Sequence, residues 1–241
     1  MANALAEQSK AGEARFAPVL SLAGRTRAPV LPAVPGRRGG FGGVAGLVAY
    51  LGTERVAALV DATHPFARQM HANAAAACKA AGVPLVVVSR PAWVAGLGAQ
   101  WTEVADMAAA AAALGRERRR VLLTVGQQEL EPFRDMARHD YLIRSVEPPE
   151  PHSLPHGARC IAARGPFTVA GERALMQRER IEVLVTKNSG GSAVAAKLEA
   201  ARELGIEVVM VSRPPPPDGP IVPDVAGVLT WLEHQAALRG V

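Results

Sequence analysis

The chain repeats one arrangement, and that repeat restricts its fold more than any other feature. In the first copy, the apolar run Leu59-Val60 ends in Asp61-Ala62-Thr63-His64-Pro65-Phe66-Ala67. An alanine-rich helix over 70–81 follows, then Gly82, then the β-branched run 83–88 and Ser89-Arg90-Pro91. In the second copy, Val183-Leu184-Val185 ends in Thr186-Lys187-Asn188-Ser189-Gly190-Gly191, with a helix over 193–204, Gly205, the run 206–211 and Ser212-Arg213-Pro214. Each copy reads as strand, polar loop, helix, glycine stop, strand. A glycine directly after a helix supplies the left-handed residue that closes it, and uninterrupted β-branched runs suit parallel strands covered on both faces. Two related βαβ halves are therefore predicted, and ligands bind such open sheets at the carboxyl ends of the strands.

The rest of the chain fits strands alternating with helices. Residues 2–15 read as helix, 16–22 as a strand ending at Ser21-Leu22-Ala23-Gly24-Arg25-Thr26, and 29–43 as a proline- and glycine-rich loop. A short helix is predicted over 47–51, a strand over 55–60, and a helix over 102–114 capped by Thr102, with Asp106 nearby, and closed by Gly115. Strands over 118–124 and 141–146, a helix from 165 to about 180, an extended segment over 214–223 and a closing helix over 225–238 complete the pattern. With 241 residues, two domains are expected, 1–117 and 118–241.

Composition narrows the partners. No run approaches the ~18 apolar residues of a membrane span, and the start lacks the layout of a signal peptide, so a cytoplasmic protein with no membrane partner is predicted. The formal charge is +5, only 4% of residues are aromatic, and the arginines are scattered rather than clustered. That pattern disfavours nucleic acid and favours an anionic small molecule, for which arginine supplies bidentate forks. Cys78 and Cys160, the two cysteines, have neither disulfide-framework nor zinc spacing and are expected to be buried; no metal site is predicted.

Several residues suit chemistry. Ser21, Arg25 and Thr26 follow the strand at the place where a dinucleotide fold meets the adenosine ribose. An arginine with hydroxyl neighbours there favours a 2′-phosphate, hence NADPH. Gly39-Gly40-Phe41-Gly42-Gly43, after Arg37-Arg38, is either a cradle for anionic groups or a flexible connector. In the Asp61 motif, Pro65 suits a first helical turn and Thr63 or His64 a cap facing a ligand; His64 is also a candidate proton donor. Lys187, with Asn188 and Ser189 at a strand end, suits an anion, and the glycine spacing excludes a P-loop. Arg90 and Arg213, at equivalent ends of the repeated strands, either clamp carboxylates or cap helices.

Ser21-Leu-Ala-Gly-Arg-Thr26, Gly39-Gly-Phe-Gly-Gly43, Asp61-Ala-Thr-His-Pro-Phe-Ala67, Ser89-Arg-Pro-Ala-Trp93, Thr186-Lys-Asn-Ser-Gly-Gly191 and Ser212-Arg-Pro214 together resemble the precorrin-6A reductase family of cobalamin biosynthesis, in order over almost the whole chain. The resemblance implies an α/β fold of two Rossmann-like domains with largely parallel sheets and the active site in the cleft between them. It implies NADPH-dependent reduction of the double bond between carbons 18 and 19 of a tetrapyrrole, precorrin-6A. Residues 1–117 would hold the cofactor and 118–241 the substrate. The expected cofactor set is Ser21, Arg25, Thr26, Gly39, Gly40, Phe41, Gly42, Thr63, His64 and Pro65. The expected substrate set is Asp61, Arg90, Lys187, Asn188, Ser189, Gly190 and Arg213. Catalytic candidates are Lys187, His64 and Ser189, with water or a substrate arm as other sources of the proton. Family members normally open with a strand and a glycine-rich, pyrophosphate-binding turn, whereas Met1 to Lys10 already reads as the helix that follows; either the start lies upstream or the form is shortened. The alternatives are a cobalt-precorrin-6A reductase of the anaerobic pathway, a non-catalytic tetrapyrrole carrier, and a nucleotide-binding domain of other function.

Overall fold

The structure is a computed structural model that describes residues 16–24, 34–136, 138–216 and 218–239. In chain order its elements begin with β1 (Leu20–Leu22), β2 (Gly36–Arg38), α1 (Gly43–Thr53), β3 (Leu59–Asp61), α2 (Arg68–Ala81) and β4 (Leu85–Val88). Next come β5 (Trp101–Val104), α3 (Met107–Ala113), β6 (Arg120–Thr124), α4 (Glu131–Arg134), β7 (Asp140–Ser145) and β8 (Arg159–Ala162). The last are α5 (Val169–Arg178), β9 (Val183–Lys187), α6 (Ala196–Leu204), β10 (Glu207–Val211), β11 (Ile221–Val222) and α7 (Val225–Leu238). Every strand pairing among the described residues is parallel.

The chain forms two units, Met1–Arg90 with Pro215–Val241, and Pro91–Pro214. The second carries a six-stranded sheet in the order β5-β10-β9-β6-β7-β8. Its central strands are covered on both faces, which is why Val121-Leu122-Leu123 and Val183-Leu184-Val185 read as continuous apolar runs, all fully buried. Leu122, Leu142, Leu184, Val208 and Met210 of the sheet pack with Met176, Leu198, Ala201 and Ile206. The first unit carries two parallel sheets, β1-β2 and β11-β4-β3. Leu47 and Leu51 of α1 pack with Ala77 and Cys78 of α2, while Val228 and Leu232 of α7 pack with Val60, Val88 and Val222.

The repeated units appear as expected, and Gly82 (φ 64°) and Gly205 (φ 66°) both close their helices in the left-handed conformation. Four expectations differ. Residues 101–104 form a strand rather than the start of a helix, because they pair with β10; α3 starts later, where the Asp106 carboxylate accepts the Ala109 N–H at 2.8 Å. The glycine-rich loop over 29–43 contains β2, which pairs with β1, and the proline-rich segment over 214–223 contains β11, which pairs with β4. The division between units falls at 90/91 and again at 214/215 rather than at 117/118, since β5 belongs to the second sheet and β11 with α7 to the first unit. Both crossings coincide with the repeated Ser-Arg-Pro motifs. The predicted opening helix, and with it the question of a preceding strand and turn, lies outside the described residues.

Candidate functional site

In the second unit the carboxyl ends of the strands gather a set of polar groups. Lys187, the last residue of β9, places Nζ 2.7 Å from Glu129 Oε2, which also accepts the Gly126 N–H at 2.7 Å. The pair is only partly exposed, 15% for the lysine side chain and 28% for the glutamate, so an incoming anion would compete with Glu129 for the same ammonium.

The loop after Lys187 is built on its own polar groups. Asn188 clamps the backbone of Trp93, its Oδ1 accepting from Trp93 N at 2.8 Å and its Nδ2 donating to Trp93 O at 2.9 Å. The Trp93 indole donates to Gly191 O at 2.9 Å. Arg213 donates through Nε to Asn188 O at 2.6 Å and through Nη2 to Pro91 O at 3.3 Å. Gly190 sits at φ +64°, and a Cβ there would lie 2.2 Å from Pro91 O and 2.1 Å from Arg213 Nη2. The structure thus brings Asn188, Gly190 and Arg213 together with Trp93, and buries Ser189 beside them.

Below this loop lies a group of charges that sequence reasoning missed. Arg144 of β7 pairs with Glu172 of α5, both almost completely buried, and its guanidinium lies 4.1 Å from the Phe167 ring centroid. Lys197 of α6 is 5% exposed and donates to Thr124 Oγ1 at 3.2 Å, with the Trp93 ring centroid 5.6 Å from its Nζ. Burial chiefly, and then the Arg144 and Lys187 charges, push the Lys197 ammonium down to about 7, against the pull of Glu172. The available signal was a lysine in the apolar stripe of Leu198, Ala200 and Ala201.

In the first unit, Asp61 ends β3 and is 4% exposed. Its Oδ1 accepts the Thr63 N–H at 3.0 Å and the Thr63 hydroxyl at 2.7 Å, and its Oδ2 lies 2.6 Å from Nδ1 of the buried His71. His71 Nε2 is 3.2 Å from His64 O, so both sides of that imidazole are anchored to the motif. Neither Thr63 nor His64 caps a helix: α2 starts at Arg68 behind Ala67, because Thr63 is held by Asp61 and His64 Nδ1 accepts the Phe66 N–H at 3.3 Å. His64 is exposed, and Thr63 and Pro65 half-buried.

The glycine loop is organised by Arg37. Its guanidinium donates to Ser21 Oγ at 2.9 Å, to Gly39 O at 3.0 Å and to Gly40 O at 3.0 Å, and stacks 3.9 Å from the Phe41 ring centroid. Ser21 is therefore tied to the loop, while Arg25 and Thr26 lie outside the described residues. Gly42 (φ 80°) leads into α1, whose amino end has no side-chain cap and no acidic residue in its first turn. Such an end offers backbone N–H groups to an anion. Arg90 is exposed at the end of the first unit. Cys78 is buried, and burial raises its thiol to about 11; Cys160 is exposed, correcting the expectation that both are interior, because its strand β8 lies at the sheet edge. No cluster of potential metal ligands occurs among the described residues.

Parallel strands carrying polar loops at their carboxyl ends define an open-sheet α/β class that receives ligands at that edge, and comparison with known proteins places this chain among the oxidoreductases. The chain belongs to the family described as precorrin-6x reductase CbiJ/CobK, whose model matches residues 2–233. It is 49% identical over 243 residues to the precorrin-6A reductase of Rhodobacter capsulatus, covering 100% of this chain and 94% of that protein. With the precorrin-6A reductase of Rhodococcus erythropolis it is 50% identical over 215 residues, 89% of this chain and 86% of the relative. A cobalt-precorrin-6A reductase of Priestia megaterium is 31% identical over 176 residues, 68% of each chain. A solved structure, CobK precorrin-6A reductase, superposes with a TM-score of 0.90 at 49% identity, covering 97% of this chain and 91% of that one.

Proposed function

We propose that this chain reduces one double bond of precorrin-6A, between carbons 18 and 19, with NADPH, as a step of cobalamin biosynthesis. The observation that carries this reading is the contrast in identity: 49–50% to precorrin-6A reductases against 31% to a cobalt-precorrin-6A reductase, which favours the cobalt-free macrocycle.

The residues fit the parts this reaction needs. The uncapped amino end of α1 and the loop Gly39-Gly40-Phe41-Gly42 offer backbone donors to a dinucleotide; in this reading Ser21 and, by its place in the sequence, Arg25 would meet the 2′-phosphate, and the Thr63-His64-Pro65 loop would line the same cofactor. Lys187, Arg90 and Arg213 suit the acetate and propionate arms, and the buried loop of Asn188, Ser189 and Gly190 shapes that side. NADPH supplies the hydride, and a proton reaches the neighbouring carbon from water, a substrate arm, or one of Lys187, His64 and Ser189. The protein's contribution is orientation, which carries most of the rate gain in such a transfer. The first unit would hold the cofactor and the second the macrocycle. No helix among the described residues is long and apolar enough to cross a membrane. The biosynthetic family supports a cytoplasmic reaction, and the scattered arginines a small-molecule rather than a nucleic-acid partner.

The test is direct. Purified protein is expected to consume NADPH, followed by the loss of its absorbance, only when precorrin-6A is supplied, and more slowly with NADH. Absence of turnover with either nicotinamide cofactor would reject the proposal; macrocycle binding without cofactor binding would identify a carrier.

A further inference from the structure

Among the described residues of the second unit two cationic side chains are almost wholly buried, Arg144 and Lys197, and only one of them has a carboxylate. Lys187 has Glu129 and Arg144 has Glu172, whereas no carboxylate among the described residues comes within ion-pair distance of Lys197. An ammonium so deeply buried is costly without an anion.

Its surroundings are those of an anion seat. Thr124 and Thr186 are register partners across β6 and β9, so their side chains project from the same face of the sheet. The Thr124 hydroxyl accepts from Lys197 and donates to Val185 O at 3.2 Å. The Thr186 hydroxyl is completely buried and has no hydrogen-bond partner. A fully buried hydroxyl with nothing to bond is uncommon and calls for an account. The group lies at the carboxyl edge of a parallel sheet, where open α/β sheets receive ligands, and Trp93, over Lys197, is fastened by Asn188.

We propose that Lys197 and the Thr186 hydroxyl form the seat of one carboxylate arm of the macrocycle, which brings the counter-ion that Lys197 lacks. The inference rests on the reading of the chain as a reductase of a polycarboxylate tetrapyrrole. The charged groups facing Lys197 are Arg144 from β7, Glu172 from α5 and Lys187 from β9; burial chiefly, with the two cations, holds the resting ammonium down to about 7 against the opposing pull of Glu172. Above that pH the resting side chain is mostly the neutral amine. An arriving carboxylate favours the charged form again, so binding draws a proton from solvent: amine, proton and carboxylate give the ion pair. Binding thus takes up close to one proton per macrocycle well above pH 7 and almost none well below it, and affinity falls as pH rises.

Calorimetry of precorrin-6A binding at about pH 8, in two buffers of different ionisation enthalpy, measures the uptake on the wild-type protein alone. Proton uptake is expected there and is expected to vanish in Lys197→Met, whose macrocycle KM rises about ten- to hundredfold while the nicotinamide KM holds. Lys197→Arg, permanently charged, should keep macrocycle binding but lose its pH dependence; Thr186→Val should weaken binding by about tenfold. Macrocycle binding without proton uptake by wild-type protein that turns over, or undiminished macrocycle affinity in Lys197→Met, overturns the seat while leaving the reductase reading intact. Failure of the wild type to bind the macrocycle at all overturns both.

Discussion

At the scale of single residues, the Thr186–Gly191 loop shows how far a motif can be read from order alone. Lys187 stands out in the sequence because lysine is scarce, and its place at a strand end follows from the apolar run before it. The partners of Asn188 do not: Trp93 lies 95 residues away, and only the fold brings its backbone within reach. The partners of Glu129 and His71 were equally silent, since a side chain's use depends on who faces it, and the apolar stripe around Lys197 marks its burial but not its neighbours. The crowding at Gly190 gives a sharp expectation. Gly190→Ala must displace the Pro91 carbonyl and adopt a left-handed backbone, and should lower stability by about 2–4 kcal/mol in chemical denaturation. Gly52, in α1 with open space around it, is the control: Gly52→Ala should be neutral or stabilising by up to about 1 kcal/mol.

Among elements, those that carry their determinants within themselves were legible. The closing helix over 225–238 and the two glycine-stopped helices follow from local capping and apolar spacing. In the sequence the short strands β2, β5 and β11 look like loop, helix and extended segment, because each exists through a partner remote in sequence. α3 illustrates the competition between cues: Thr102 had the chemistry of a cap, but pairing with β10 claims it, and Asp106 caps instead. Asp106→Ala should therefore cost about 0.5–2 kcal/mol, measured by thermal unfolding, whereas Thr102→Ala should show no loss of the helix signal in circular dichroism.

For the molecule as a whole, the two units differ in how the chain supplies them. All six strands of the larger sheet come from one uninterrupted stretch, residues 91–214, while the first unit is assembled from both ends of the chain. Expressed alone, residues 91–214 should fold and unfold cooperatively in a denaturant titration; residues 1–90, lacking β11 and α7, should not. Only the repeat of Ser-Arg-Pro hinted at these crossings, and its meaning required knowing which strands pair.

That split origin has a consequence during translation. The middle of the polypeptide is complete and able to settle while the ribosome is still adding the residues that finish the first unit. Until Ile221-Val222 emerge, the outer side of β4 has no neighbour, leaving an open template for nascent chains to join.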